Sequence, residues 1–305
     1  MFHDVVQEHT TADTTAPAAQ LWIFDWLAAL WAVSLHLAAL LIFVPWFFSW
    51  TGVVLLVIGI HLFGMIGINL GYHRLLAHRS FSSPKWLEHI LAILGTCSAH
   101  EAPASWVAIH RRHHQYADKE GDPHSPGLSF FWGHIGWIAF KPQDMLRAPR
   151  TERYASDLLR DPLYAWLEKH WQGIVLMSWF LFVTASLLGG LVAGMTAQQA
   201  GQLASSVFVW GIAARIVYVW HVSCFVNSVS HRWGYRPCET NDSSRNNLFV
   251  GYFAHGEGWH NNHHADPGAA MHGRRAWELD PVFWLIRLLA ALGLAKDVVM
   301  PKSQR

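Results

Sequence analysis

The stretch Ala104-Ser-Trp-Val-Ala-Ile-His110-Arg-Arg-His113-His114 places three histidines at positions i, i+3 and i+4. On an α-helix all three imidazoles therefore leave from one face. The same spacing recurs in Glu257-Gly-Trp-His260-Asn-Asn-His263-His264, and Gly71-Tyr-His73-Arg-Leu-Leu-Ala-His78 adds two histidines. Neutral imidazole is a common metal ligand, and one ion takes roughly four to six ligands. Eight histidines in these three boxes predict a site for two metal ions.

The composition places the chain among membrane proteins. Of its 305 residues, 52% are hydrophobic and only 14% are charged, which lies outside the usual range of soluble proteins. The net charge of +1 includes no basic face or arm, so nothing favours nucleic-acid binding. The three cysteines, Cys97, Cys224 and Cys238, have spacings that match no zinc or redox pair.

Four apolar runs predict four membrane-spanning helices at about residues 23–46, 51–72, 171–193 and 204–226, each close to the roughly 20 residues that a span needs. Short links would join them as two hairpins. The polar sections 73–170 and 227–305 carry every histidine box and are expected to form a helical cap. Residues 1–20 are polar and lack Lys and Arg, so we expect a mobile tail in front of one domain over 21–305.

Charge predicts the orientation in the membrane. No Lys or Arg precedes Arg74, and the two cap sections hold nearly all twenty-two of them. By the positive-inside rule, the cap and both termini face the cytoplasm. The apolar pieces Trp86 to Cys97 and Pro281 to Leu294 are too short to cross a bilayer and are expected to lie at its surface.

The residues around the boxes carry a resemblance. From about Leu70 to Asp280 the chain resembles the membrane fatty-acid desaturases of the acyl-CoA Δ9, or stearoyl-CoA desaturase, type. The resemblance implies an all-α integral membrane protein whose cytosolic cap holds two irons. It also implies a ninth histidine ligand, His231, in the motif Asn227-Ser-Val-Ser-His231, with Asn227 reaching one metal through a water. The implied ligands are His73, His78, His110, His113, His114, His231, His260, His263 and His264.

Other side chains lie in motifs similar to those of the family and could orient the metal-binding histidines without binding the metal themselves. They are Asp122, His124, Glu257, His221 and His255, with His134 in a similar setting. Six histidines lie outside any motif and are expected to be structural: His3, His9, His36, His89, His170 and His272.

The resemblance also implies an apolar substrate tunnel that bends beside the metals. Its bend residues correspond here to Trp106, His100 and Ser223, where the family has Trp, Gln and Thr. Two departures leave the bend geometry and the double-bond position open. On the second span, Met65 and His61 step back from His73 at four-residue intervals and could limit chain length at the far end of the tunnel. Packing against a neighbouring helix would explain that face equally well.

Removing hydrogens from an unactivated methylene needs an oxidant made from O₂, which iron can supply and zinc cannot. The chain has no dinucleotide or phosphate-binding motif, so electrons must come from a partner: ferredoxin, rubredoxin or cytochrome b5, with a reductase. We therefore expect an O₂-dependent diiron enzyme of fatty acid biosynthesis, in a bacterial inner membrane, that introduces a cis double bond into an acyl chain.

Three alternatives remain at this stage. The same diiron scaffold could decarboxylate a free fatty acid to a 1-alkene, or it could hydroxylate the chain. A zinc-dependent membrane hydrolase or a non-catalytic metal-binding protein would be a different class. The carrier of the acyl chain also stays open among CoA, acyl carrier protein, a phospholipid and the free acid.

Overall fold

The computed structural model describes residues 22–142 and 150–302. The expected tail over residues 1–20 lies outside the described residues. Four helices are long and apolar enough to cross a membrane, which confirms the four predicted spans. We call them the first to fourth spans, and they cover Trp26–Phe43, Trp50–Ala77, Pro162–Val192 and Ala197–Ser228.

The third and fourth spans begin earlier than the apolar runs indicated. Pro162 occupies the first turn of the third span, and the Asp161 side chain accepts a hydrogen bond from the Leu163 N–H at 2.9 Å. Thr196 and Gln199 form a capping box at the start of the fourth span. Polar residues precede the apolar run in each helix, Glu168 to His170 in the third span and Gln198, Gln199 and Gln202 in the fourth. A hydropathy pattern therefore misses these helix starts, although their caps mark them.

The second span changes its winding as it approaches the first box. Over Ile60–Ala77 it has π-helical hydrogen bonds, and the N–H of His78 donates to the carbonyl of His73, five residues back, at 3.1 Å. Gly67 lies against Gly95, and a Cβ on Gly67 would come within 2.6 Å of the Gly95 nitrogen. The two helices therefore meet backbone to backbone, which fixes the end of the second span.

Several shorter elements pack against the membrane-spanning helices. Helix Lys85–Thr96, expected at the membrane surface, buries Leu91 and Ala92 and leaves Trp86 and Ile90 exposed. Strands Trp22–Phe24 and Phe140–Pro142 pair antiparallel, with Ile23 opposite Lys141. The remaining helices are Pro103–Tyr116, Trp132–Gly136, Trp137–Ala139, Arg150–Tyr154, Ser156–Leu159, Leu248–Phe253, His260–Ala265 and Pro281–Ala291.

Polar contacts connect the fourth span to its neighbours. The hydroxyls of Ser49 and Ser206 lie 2.7 Å apart beside the start of the second span. Further along the fourth span, the buried Arg215 donates to the Cys97 carbonyl at 3.1 Å, and its guanidinium lies 4.4 Å from the Phe63 ring centroid. These contacts hold the second span, the fourth span and the loop after Thr96 around one cavity.

Candidate metal centre

Five histidines from all three boxes turn their Nε2 atoms toward one small volume, which we call the first cluster. Their ring nitrogens follow one another at 3.2, 3.0, 3.1 and 2.7 Å in the order His73, His263, His114, His110 and His78. In three of these residues, a single Nε2 contacts two other Nε2 atoms. Five converging lone-pair donors form a set that could hold a metal ion.

Four other histidines form the second cluster beside the first. They are His113, His231, His260 and His264, and their candidate ligand atoms all lie within 4.8 Å of one another. The Nε2 atoms of His231 and His260 are 3.0 Å apart. The clusters adjoin where the rings of His114 and His264 lie 4.5 Å apart.

Each His-x-x-His-His box contributes to both clusters. In helix Pro103–Tyr116, His110 and His114 belong to the first cluster and His113 to the second. In helix His260–Ala265, His263 belongs to the first cluster, whereas His260 and His264 belong to the second. The i, i+3, i+4 spacing thus presents one face of each helix to both clusters at once.

Carboxylates stand behind four of the nine histidines. The Nδ1 atoms of His113, His231, His264 and His73 lie 2.7 to 3.0 Å from carboxylate oxygens of Asp122, Asp118, Asp242 and Glu257, in that order. A carboxylate accepts the Nδ1 proton, so the Nε2 lone pair is left free and points into the cluster. Behind Glu257 lies the fully buried Arg74, which donates to Glu257 and Asp280 at 3.0 Å each.

The clusters favour neutral imidazole, the form that binds metal. Burial, followed by the charges of neighbouring histidines, lowers the pKa of most cluster members well below 6.5, and burial lowers the pKa of His264 to about 4. Burial would also lower the pKa of His113, but the Asp122 carboxylate raises it above its usual value. The residues with strongly lowered pKa values are His78, His110, His114, His260 and His263.

The geometry fits bound metal ions. Two nitrogens that bind one ion at right angles, each at about 2.1 Å, lie about 3 Å apart, close to the spacings in the first cluster. In the second cluster the buried Nε2 atoms of His113 and His264 have no hydrogen-bond partner among residues 22–142 and 150–302. Leaving such atoms unpaired is costly, and an ion between them would remove that cost.

An apolar cavity reaches both clusters. His73 and His110 of the first cluster and His260 of the second form part of its wall. Its far end is lined by Ile60 and Gly64 of the second span and Val219 of the fourth. Trp106 lines the cavity beside the first cluster, and its ring stacks on that of His110 with the centroids 5.0 Å apart. A hydrocarbon chain in this cavity would lie directly against the candidate metal site.

Comparison with known proteins agrees with this geometry. The sequence model of the fatty acid desaturase family matches residues 48–295. The chain belongs to the fatty acid desaturase family. It is 40% identical over 276 residues to the sn-1 stearoyl-lipid 9-desaturase of Synechocystis sp., a match that covers 90% of this chain and 80% of that protein.

Two further relatives cover nearly their whole length. The chain is 41% identical over 280 residues to the sn-2 palmitoyl-lipid 9-desaturase of Nostoc sp., and the match covers 92% of each chain. It is 38% identical over 296 residues to the sn-1 stearoyl-lipid 9-desaturase of Anabaena variabilis, covering 97% of this chain and all of that one. The resemblance seen in the histidine boxes is confirmed, and this desaturase is a membrane oxidoreductase that acts on fatty acyl chains.

The substrate residues expected in the desaturase fall into two groups. Trp106, His100 and Ser223 all line the cavity, as does Asn227. In the described part of the chain, the buried Nε2 of His100 has no hydrogen-bond partner, and burial lowers the pKa of this imidazole to about 4. The histidine at position 100, where the family has glutamine, therefore places a neutral imidazole with an unpaired Nε2 in the cavity wall.

Met65 and His61 are not among the residues that line the cavity. Ile60, Gly64 and Ile68 line it instead, one turn apart along the second span. The π-helical winding explains the difference, since an extra residue per turn rotates a four-residue series around the axis. Met65 packs into the core.

Of the residues expected to orient the ligand histidines, some contact the clusters and others lie elsewhere. Asp122 and Glu257 contact ligand histidines, and the ring of His124 lies 4.4 Å from that of His113. The structure places His255 in the cavity wall, and it places His221 in a separate group with His36 and His134. His221 precedes Asn227 by six residues, which turns it about 120° away around the helix.

Sequence reasoning missed three neighbours of the clusters. Asp118 and Asp242 carry no spacing signal, since Asp118 lies four residues after His114 and Asp242 lies eighteen residues before His260. His272, which we expected to be structural, lies 3.3 Å from Glu257, and its ring is 4.5 Å from that of His263.

Proposed function

We propose that this desaturase is an O₂-dependent diiron enzyme that introduces a cis double bond at carbon 9 of an acyl chain carried on a membrane glycerolipid. The two clusters would hold the two irons, with His73, His78, His110, His114 and His263 around one and His113, His231, His260 and His264 around the other. Asn227 would reach the second ion through a water. Electrons would come from an external donor of the ferredoxin, rubredoxin or cytochrome b5 class.

The observation that carries this proposal is the shared wall of the cavity and the clusters. His73, His110 and His260 belong to both. Two iron ions bound there would supply, with O₂ and external electrons, the oxidant that removes two hydrogens from adjacent carbons. A saturated chain offers no polar handle at those carbons, so the cavity shape must place them.

The chain's own residues perform the positioning. Trp106 holds one wall of the cavity by stacking on His110, and Tyr72 supports it with a ring centroid 5.7 Å away. The Tyr72 hydroxyl is hydrogen-bonded to Thr96 at 2.9 Å. Because the Tyr72 ring is buried and the partly buried Trp106 ring packs against it, the indole is kept at a fixed distance from the ligand ring and shields that side of the cavity from water.

A lipid-borne substrate is favoured by the relatives. The three described above are named for stearoyl-lipid or palmitoyl-lipid substrates and for position 9. Their names support desaturation, and nothing in the geometry favours decarboxylation or hydroxylation. We place the cap and the metal centre on the cytoplasmic side of a bacterial inner membrane, because the cap sections carry nearly all of the Lys and Arg residues.

Lipid analysis tests the proposal. The chain is expressed aerobically in a host that makes no monounsaturated lipids, and each lipid class is hydrolysed and examined by mass spectrometry. We expect an internal double bond at carbon 9 with unchanged carbon number, first seen in glycerolipids. A 1-alkene shortened by one carbon, a hydroxylated chain, or purified active protein without iron would overturn it.

A further inference from the structure

A second cavity lies between the first span, the fourth span and residues 131–140. Ala28, Ala32 and Val33 of the first span form one wall, and Phe131 and Ile135 form the opposite wall. The small side chains on the first span leave room for the cavity, and the large apolar side chains of Phe131 and Ile135 face that room. The cavity thus opens along a membrane-spanning helix.

The second cavity adjoins the first cavity, the one that reaches the histidine clusters and that we call the catalytic cavity. Ile138, Phe140, Trp220 and Cys224 line both of them. A single layer of side chains therefore separates the two spaces. A molecule with two hydrocarbon chains could place one chain on each side of this layer.

Within the described residues, both ring nitrogens of His36 and of His221, which line the second cavity, have hydrogen-bond partners. The Ala32 carbonyl accepts from His36 Nδ1 at 2.7 Å, so the Nε2 of neutral His36 accepts from His221 Nε2 at 3.0 Å. His221 Nδ1 then accepts from His134 Nε2 at 2.9 Å. Because His221 uses opposite ring nitrogens for its two partners, the three imidazoles form a chain and do not converge on an ion. The cavity is left apolar and suits hydrocarbon better than water.

The depth of the second cavity also suits an acyl chain. Its lining runs along the first span from Ala28 to His36, which is about 12 Å of helix. One leaflet of a bilayer has roughly 15 Å of hydrocarbon. The pair His36 and His221 lies at the deep end of this lining and closes it.

We propose that the second cavity binds the non-reacting acyl chain of a diacyl glycerolipid while the reacting chain occupies the catalytic cavity. The wall of Ile138, Phe140, Trp220 and Cys224 would then lie between the two chains of one lipid. This inference rests on the proposed function, because a CoA thioester or a free acid has no second chain. It assigns the first span and residues 131–140 to recognition of the lipid class.

Photolabelling tests the site in the unaltered protein. The full chain is reconstituted in vesicles with a diacyl glycerolipid that carries a diazirine in the middle of its non-reacting chain, and labelled peptides are mapped after illumination. We expect labels within residues 24–36 and 131–140. Labels confined to other parts of the spans would overturn the proposal.

Substitutions supply an independent test. Ala32→Phe would fill the second cavity, and Leu30→Phe adds the same ring at an exposed position of the first span. We expect Ala32→Phe to lower turnover of a diacyl lipid about tenfold relative to the matching monoacyl lysolipid, and Leu30→Phe to change neither. Equal loss on both substrates, or no loss on either, would contradict the site.

The wild-type protein separates this test from the proposed function. If it desaturates a soluble acyl thioester but no glycerolipid, the lipid-borne substrate is wrong and the second-chain site falls with it. If it desaturates diacyl and monoacyl lipids and Ala32→Phe does not distinguish them, only the second-chain site is wrong.

Discussion

Asp242→Asn should weaken the metal centre without touching a ligand. The carboxylate accepts from His264 Nδ1 at 2.8 Å through Oδ2, and from Thr240 Oγ1 and the Ser244 N–H at 2.8 and 2.9 Å through Oδ1. An asparagine amide has one oxygen, so it cannot accept from both sides. If its NH₂ group faces His264, the imidazole proton must move from Nδ1 to Nε2, and Nε2 can then no longer bind a metal.

The size of this effect follows from the position of the carboxylate. Substitution of a group that orients a metal-binding histidine typically costs about 10–100-fold in metal affinity, which is roughly 1.4–2.8 kcal/mol. Purified, iron-loaded protein is incubated with a graded series of chelator, and the remaining iron is measured by mass spectrometry. The chelator concentration that removes half of the iron should fall by the same 10–100-fold.

A matched control uses another acidic residue. Asp297 accepts from the Ser82 hydroxyl at 2.7 Å at the protein surface and contacts no cluster histidine in the described structure. Asp297→Asn should therefore retain iron like the wild type. If Asp242→Asn retains it equally well, the carboxylate does not hold His264 in its metal-binding tautomer, and the reasoning about the second cluster is refuted.

Three further outcomes are expected. His113→Ala should abolish turnover while the protein still inserts, checked by membrane fractionation and product analysis. Ile60→Trp should shorten the preferred acyl chain because Ile60 lines the far end of the cavity, whereas Ile58→Trp, which faces lipid, should leave the chain-length profile unchanged. Arg74→Met would leave the buried carboxylates of Glu257 and Asp280 without their guanidinium partner and should lower the free energy of unfolding by about 3–5 kcal/mol, measured as reduced thermal stability in detergent.

The sequence predicted the four spans because the signals for them are local. Apolar runs and the box spacing each lie within one helix, so helix periodicity alone brings His110, His113 and His114 to one face. The predicted helix starts were less accurate, because the third and fourth spans begin at their caps Asp161 and Thr196 and carry polar residues before the apolar run. Hydropathy reports burial in the membrane and does not detect such caps.

What the sequence could not predict depends on contacts between distant segments. Asp118 and His231 are 113 residues apart, and His36 and His221 are 185 apart. Their meeting follows from how the helices pack against one another, which no spacing encodes. The division of each box between two clusters has the same cause. On the second span, the π-helical winding shifts the cavity-lining face by one residue relative to the predicted face. Ile60 and Gly64 therefore lie where His61 and Met65 were expected.

The four carboxylates behind the histidines have an electrical consequence. Nine neutral imidazoles bring no charge to two divalent ions, which together would carry four positive charges. Asp118, Asp122, Asp242 and Glu257 carry four negative charges, and Arg74 balances Asp280 nearby. The two histidine clusters and the carboxylates behind them can thus hold a dication pair as an electroneutral assembly, although no anion need touch either ion.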